Sequence, residues 1–66
     1  MKILVNDSPV ETETGATLHD LLQQLGQSPL GIAVAVNHVI QPRAEWHSYS
    51  LHHGDNILLF QAIAGG

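Results

Sequence analysis

Four leucines, Leu18, Leu21, Leu22 and Leu25, recur at the spacing i, i+3, i+4, i+7. On a helix this spacing puts them in one apolar stripe on one face. Thr17 stands where a cap is needed and Asp20 at the capping-box position, although Glu or Gln is the stronger partner there. Gly26 closes the segment and Pro29 follows shortly after. One such helix has one face to bury and needs one sheet to bury it against. Buried together, the four leucines contribute on the order of 6–12 kcal/mol, an upper bound because the unfolded chain already hides some apolar area. That is a large share of the roughly 5–15 kcal/mol typical of a folded domain. Cysteine is absent, so no disulfide or thiolate metal site supplements this core. With 66 residues there is room for one domain, and with 44% hydrophobic residues an ordinary apolar core is feasible.

The flanking segments read as strands. Residues 2–6 alternate about Ile3 and Val5, and Asn6-Asp7-Ser8-Pro9 is a turn cluster before a return strand over Val10 to Glu13. Beyond the helix, Ile32 to Val36 is a strand with Val34 and Val36 on the core face. Asn37-His38 is a tight turn, and Val39-Ile40-Gln41 a short strand that Pro42 halts. Arg43-Ala44-Glu45-Trp46 forms one helical turn. His47 to His53 is a loop anchored by Leu51, and Gly54-Asp55-Asn56 turns the chain into a last buried strand, Ile57-Leu58-Leu59-Phe60. The order β-β-α-β-β-(short turn)-β, with a later strand parallel to the first, predicts an α+β fold of the β-grasp (ubiquitin-like) kind. In it a mixed sheet of four to five strands is covered by one main helix. Residues 1–62 form the domain and residues 63–66 a flexible tail.

That tail, Ile63-Ala64-Gly65-Gly66, is the chemically suggestive segment. Four extended residues reach at most roughly 14 Å, and the two glycines pass where a Cβ would clash. The one distinctive group is the α-carboxylate of Gly66, ionised at neutral pH because its pKa is about 3.3–3.7. A carboxylate is a poor electrophile, so a second protein must convert it to a better acyl donor, most naturally an acyl-adenylate made from ATP.

Other chemistries find little support. No serine lies in a nucleophile-elbow context, and no glycine loop of the phosphate-cradling kind is present. The formal charge of −4, from two basic and six acidic residues, argues against nucleic acid and anionic membranes. No basic leader precedes an apolar stretch and no apolar run approaches membrane-spanning length, so a soluble cytoplasmic protein is expected. Of the five histidines, His47, His52 and His53 share one loop region. Adjacent His52 and His53 tend to point apart and no carboxylate or thiol joins them at useful spacing. They are read as solvated loop residues, and no metal is expected. Arg43 is expected to pair locally or cap a carbonyl, with a partner contact as the less favoured alternative, and Trp46 to plug the base of the core. If Ile57 and Leu59 face the helix, Leu58 and Phe60 face outward and form a docking patch beside the tail.

Asn37, Pro42-Arg43-x-x-Trp46, Gly54-Asp55-x-Ile57 and the ending Phe60-Gln61-Ala62-Ile63-Ala64-Gly65-Gly66 together resemble the ThiS family of sulfur carrier proteins in thiamine biosynthesis. The resemblance covers the whole chain. His38 departs from it, because the family often has Gly after Asn in that turn. The resemblance implies that a ThiF-like adenylyltransferase uses Mg-ATP to adenylate the Gly66 carboxylate. Sulfur from a cysteine-desulfurase persulfide then replaces AMP, and the Gly66 thiocarboxylate donates it to thiazole synthase (ThiG). It further implies that the chain is a protein co-substrate rather than an enzyme and binds no cofactor itself. Gly65 and Gly66 carry over directly, and Phe60 matches an exposed aromatic position in related carriers. Three alternatives remain at this point. The small subunit of molybdopterin synthase shares the fold and tail chemistry, but its members are usually longer and often have prolines before the tail, unlike Gln61-Ala62. A ubiquitin-like protein modifier and a plain interaction domain are the others.

Overall fold

Helix α1 (Leu18–Gln24) starts where its cap residues dictate. The Asp20 backbone N–H donates to the Thr17 hydroxyl at 3.2 Å, and the Thr17 N–H donates to the Asp20 carboxylate at 3.0 Å. Two otherwise orphaned donors are thus satisfied reciprocally, with Asp in the role more often taken by Glu. The helix ends at Leu25, where Gly26 takes a left-handed φ of 69°. Gln27 N–H then reaches the Leu22 carbonyl at 2.9 Å and Gly26 N–H the Gln23 carbonyl at 3.1 Å, the paired closure that glycine permits. Leu18, Leu21 and Leu22 are fully buried, and Leu25 packs at the margin of the same cluster.

The computed structural model describes residues 1–28 and 30–61. Five strands accompany the helix: β1 (Lys2–Val5), β2 (Ser8–Glu11), β3 (Ile32–Val36), β4 (Val39–Gln41) and β5 (Asn56–Gln61). They form one mixed sheet in the order β2-β1-β5-β3-β4. The central pair β1–β5 is parallel, with Leu4 opposite Asn56 and Val5 opposite Ile57, and the other pairs are antiparallel. A strand pair that runs parallel needs a long crossover, and here α1, β3 and β4 all lie within it. The α+β fold with one helix over a mixed sheet is the expected β-grasp arrangement. Its core lies between α1 and one sheet face: Ile3, Val5, Val34, Val36 and Ile57 meet the three buried leucines, with Trp46 and Leu51 closing the end. Among the described residues, no helix is long and apolar enough to cross a membrane.

The structure corrects three local expectations. The first hairpin turns at Asn6-Asp7 alone, both at positive φ (48° and 69°), so Ser8 and Pro9 belong to β2 and that strand ends at Glu11 rather than Glu13. Two-residue turns of this hand match the twist of the flanking strands, and Asn and Asp tolerate positive φ. Pro9 fits because β2 is an edge strand. The last strand is longer at both ends than Ile57–Phe60, since Asn56 pairs with Leu4 and Gln61 with Ile32. Arg43, expected to pair locally or cap a carbonyl, does neither: among the described residues its guanidinium makes no hydrogen bond and no ion pair. The boundary placed between residues 62 and 63 lies outside the described residues.

Candidate functional site

The site of interest is β5 and the sheet face beside its C-terminal end. The strand is held at both ends by asparagines from the two hairpin turns. At its start, Asn56 N–H donates to Asn37 Oδ1 at 3.0 Å and Asn37 N–H to the Asn56 carbonyl at 2.8 Å. Asn37 Nδ2 also donates to Asp55 Oδ1 at 3.1 Å, while Asp55 Oδ2 accepts the His52 N–H at 2.8 Å. The buried Asp55 carboxylate thus ties the β3–β4 turn to the loop that feeds β5. Farther along, Leu59 N–H donates to Asn6 Oδ1 at 2.9 Å, and Asn6 Nδ2 donates to the Leu59 carbonyl at 3.3 Å. The Asn6 side chain therefore replaces a strand neighbour after β1 has ended, and it fixes β5 two residues before Gln61.

Alternation along β5 sends Ile57 and Leu59 to the core and Leu58 and Phe60 to the opposite face. Leu58 is half-buried and Phe60 is 45% exposed. Across the ladder Phe60 sits opposite Ala33, and Leu58 opposite Ala35, which in turn sits opposite Ile40. Residues directly opposite share a face. The two alanines on β3 leave a shallow strip between the larger Leu58, Phe60 and Ile40 side chains, and Ile40 is 57% exposed. Leu4 on β1, 36% exposed, extends the strip on the other side of β5. The outward pair expected from the sequence is thus part of a wider apolar surface. Leu4 and Ile40 were not singled out in the sequence, although the same period of two, applied to β1 and β4, marks them. The side chain of Asn6 was also missed, because a turn asparagine reads as a backbone device and its partner is 53 positions away.

The remaining sequence candidates fall elsewhere. Ile63, Ala64, Gly65 and Gly66 lie outside the described residues. Trp46 is 2% exposed, donates Nε1 to the Gln41 carbonyl at 2.8 Å and closes the core as expected. Among the described residues no three His, Cys, Asp or Glu side chains come together as a metal site. His53 Nδ1 accepts the Lys2 N–H at 3.1 Å, whereas His47 stacks on His19, ring centroids 3.9 Å apart. Asp20, beside that stack, has its carboxyl held below the usual carboxylate range. The Thr17 backbone N–H is the main cause, the Thr17 hydroxyl the next, and His19 and His47 add to it against a small opposing effect of burial.

The model of the ThiS family matches residues 3–66. The chain belongs to the ThiS family. It is 48% identical to the sulfur carrier protein ThiS of Escherichia coli K12 over 66 residues, the whole length of both chains. It is 36% identical over its full length to a thiazole synthase of Magnetococcus marinus, of which it spans 20%. Among solved structures, the ThiS crystal structure from Geobacter metallireducens superposes with a TM-score of 0.87 at 20% identity, over all of both chains. SAMP1 from Haloferax volcanii superposes with a TM-score of 0.62 at 19% identity, covering 98% of this chain and 97% of that one. At such identities these likenesses speak for the fold alone.

An exposed aromatic beside the end of β5 is a liability for a free-standing domain, since apolar surface on a sheet invites association.

Proposed function

We propose that this chain carries sulfur for thiazole formation in thiamine biosynthesis, with the Gly66 carboxylate as the reactive group. The observation that carries this reading is the full-length likeness to a protein named as a sulfur carrier. The likeness to part of a thiazole synthase supports the same pathway. The chain acts as a co-substrate. A ThiF-like adenylyltransferase docks the apolar strip around Leu58 and Phe60 and admits the tail, and Gly65 and Gly66 let the backbone enter a narrow passage. The carboxylate oxygen of Gly66 attacks the α-phosphorus of Mg-bound ATP, releasing pyrophosphate and leaving an acyl-adenylate. The terminal sulfur of a persulfide derived from cysteine desulfurase then attacks the carbonyl carbon and displaces AMP, leaving an acyl disulfide. A thiol cleaves its S–S bond, releasing the Gly66 thiocarboxylate and ending as a disulfide itself. The resulting thiocarboxylate is the sulfur donor for thiazole synthase. ATP and magnesium belong to the activating enzyme, not to this chain.

The fold's contribution is placement. Asn6 and Asn37 pin β5, so the strand that runs to Gln61 is fixed beside the docking strip. Five residues follow Gln61, enough to extend at most about 18 Å. Removal of Gly66 tests the proposal directly. The truncated chain should unfold at the same denaturant midpoint as the full chain, because among the described residues α1 and one face of the sheet already enclose a core between Ile3 and Leu59. It should fail to support growth without thiamine in cells lacking their own carrier. Growth at the full-length rate would refute the role of Gly66.

A further inference from the structure

A groove of about 640 Å³ opens at the end of the molecule where the helix begins, lined by His19, Leu30, Arg43, Ala44, Trp46 and His47. Its walls are set by main-chain bonds. Leu18 N–H donates to the Tyr49 carbonyl at 3.0 Å and His19 N–H to the Trp46 carbonyl at 3.2 Å, which brings the start of α1 against the chain that leaves the 3₁₀ turn (Arg43–Glu45). His19 and His47 stack across that seam, and Gln23 Nε2 lies 3.3 Å from His19 Nε2. The buried Trp46 forms part of the lining and Leu30, 71% exposed, lies at its edge.

The polar content of this groove is unusual for the chain. Lys2 and Arg43 are the two basic side chains against six acidic ones. Arg43 is exposed, yet among the described residues no acid pairs with it and no acceptor takes its protons. Among the described residues no carboxylate lines the groove: the Asp20 carboxylate is turned to the Thr17 N–H at 3.0 Å and lines the polar groove with Glu13 and Gln24 on the other side of α1. A guanidinium fork with all donors free matches a carboxylate in two parallel bonds. The surrounding Leu30, Ala44 and Trp46 favour an apolar neighbour to that carboxylate.

The geometry points to a second docking point, separate from the outer sheet face, that takes an acidic side chain flanked by apolar residues on a partner protein. Charge complementarity selects this occupant. The net charge of −4 does not oppose it at physiological salt, because charges farther than about 8 Å are largely screened while the guanidinium contact is direct. The site stands independently of the sulfur-carrier reading, since it uses neither the tail nor β5.

The test is an NMR titration of the ¹⁵N-labelled full chain with a capped Gly-Leu-Glu-Leu-Gly peptide and its Gln counterpart, with sodium acetate as the bare anion. The expected result is a set of shifts centred on His19, Arg43, Ala44, the Trp46 indole N–H and His47. The Gln peptide should bind about tenfold more weakly, as should the Glu peptide with the Arg43→Gln variant, for a loss of one charge-assisted contact. Among the described residues the Arg43 side chain makes no hydrogen bond or ion pair, so R43Q should keep its fold, and an otherwise unchanged spectrum verifies this. Equal binding of the two peptides, unchanged binding to R43Q, shifts centred elsewhere, or none at millimolar peptide would each overturn the proposal. Acetate matching the peptide in affinity would overturn the apolar part of the site. Concentration-dependent shifts at the same residues without peptide would replace the partner by a second copy of this chain.

Discussion

At Thr17 a single hydroxyl decides where the helix begins. Replacing it with Ala removes the acceptor for the Asp20 N–H and should cost about 1 kcal/mol, read as a lower urea midpoint at unchanged slope. Asp20 completes the cap as an anion, and its carboxyl is held below the ordinary range chiefly by the Thr17 N–H. A native carboxyl with a depressed pKa binds fewer protons than the same group unfolded. Its stabilisation is therefore present above the ordinary carboxylate value of about 3.9 and is lost as pH falls below it through the native value. The Asp20→Asn variant should lack that acid-side loss, so its stability against pH should be flatter than the parent's below about pH 4. His38 is the opposite case, a residue whose backbone is at odds with its type. It occupies the left-handed region at φ 73° in the β3–β4 turn, which costs a residue with a Cβ roughly 1–2 kcal/mol. Glycine avoids that cost but loses more freedom on folding. His38→Gly should therefore raise stability by about 0.5–1 kcal/mol, and a lower thermal midpoint would show that the His38 side chain makes up for its backbone.

Among the elements, β5 is paired on both sides, to β1 at Asn56 and Ile57 and to β3 from Ile57 to Gln61. The Asn6 side chain holds it at Leu59 with two bonds. Asn6→Gly keeps the turn's positive φ while deleting those bonds, so the Leu59 amide should exchange with solvent faster while core amides such as Ile57 hold their protection. Equal protection at Leu59 in the two proteins would mean that the ladder with β3 suffices. Phe60 is exposed on the outer face, so Phe60→Asp should fold normally yet lower kcat/KM for adenylation by about tenfold or more, mainly through KM. Much of this element was legible in the sequence, because a period of two in Ile57-Leu58-Leu59-Phe60 separates the two faces without any tertiary knowledge. The leucine stripe and the Thr17-Asp20 cap were legible for the same reason, being local. The start of β2 was not, because Asn-Asp, Asp-Ser and Ser-Pro are all turn chemistry and only the pairing of Val5 with Ser8 chooses among them. Likewise the Asn6–Leu59 tie, the His19–His47 stack and the bare guanidinium of Arg43 depend on which distant segments meet, and no local pattern encodes that.

On the scale of the whole molecule, one helix covers one face of a five-stranded mixed sheet. The core is confined to one side of the sheet, which leaves Leu4, Ile40 and Phe60 exposed on the other, and the parallel β1–β5 pair places β5 at the centre of the sheet rather than at its edge. At its C-terminal end β5 is held by the ladder with β3 through Gln61 and by the Asn6 side chain at Leu59. The most direct test of the carrier reading is the intact mass of the full chain after incubation with a ThiF-like adenylyltransferase, Mg-ATP, cysteine and a cysteine desulfurase. A gain equal to the exchange of one oxygen for sulfur, located by fragmentation at Gly66, is the predicted result. An unchanged mass, with the chain folded and the enzymes shown active on another carrier, would contradict it.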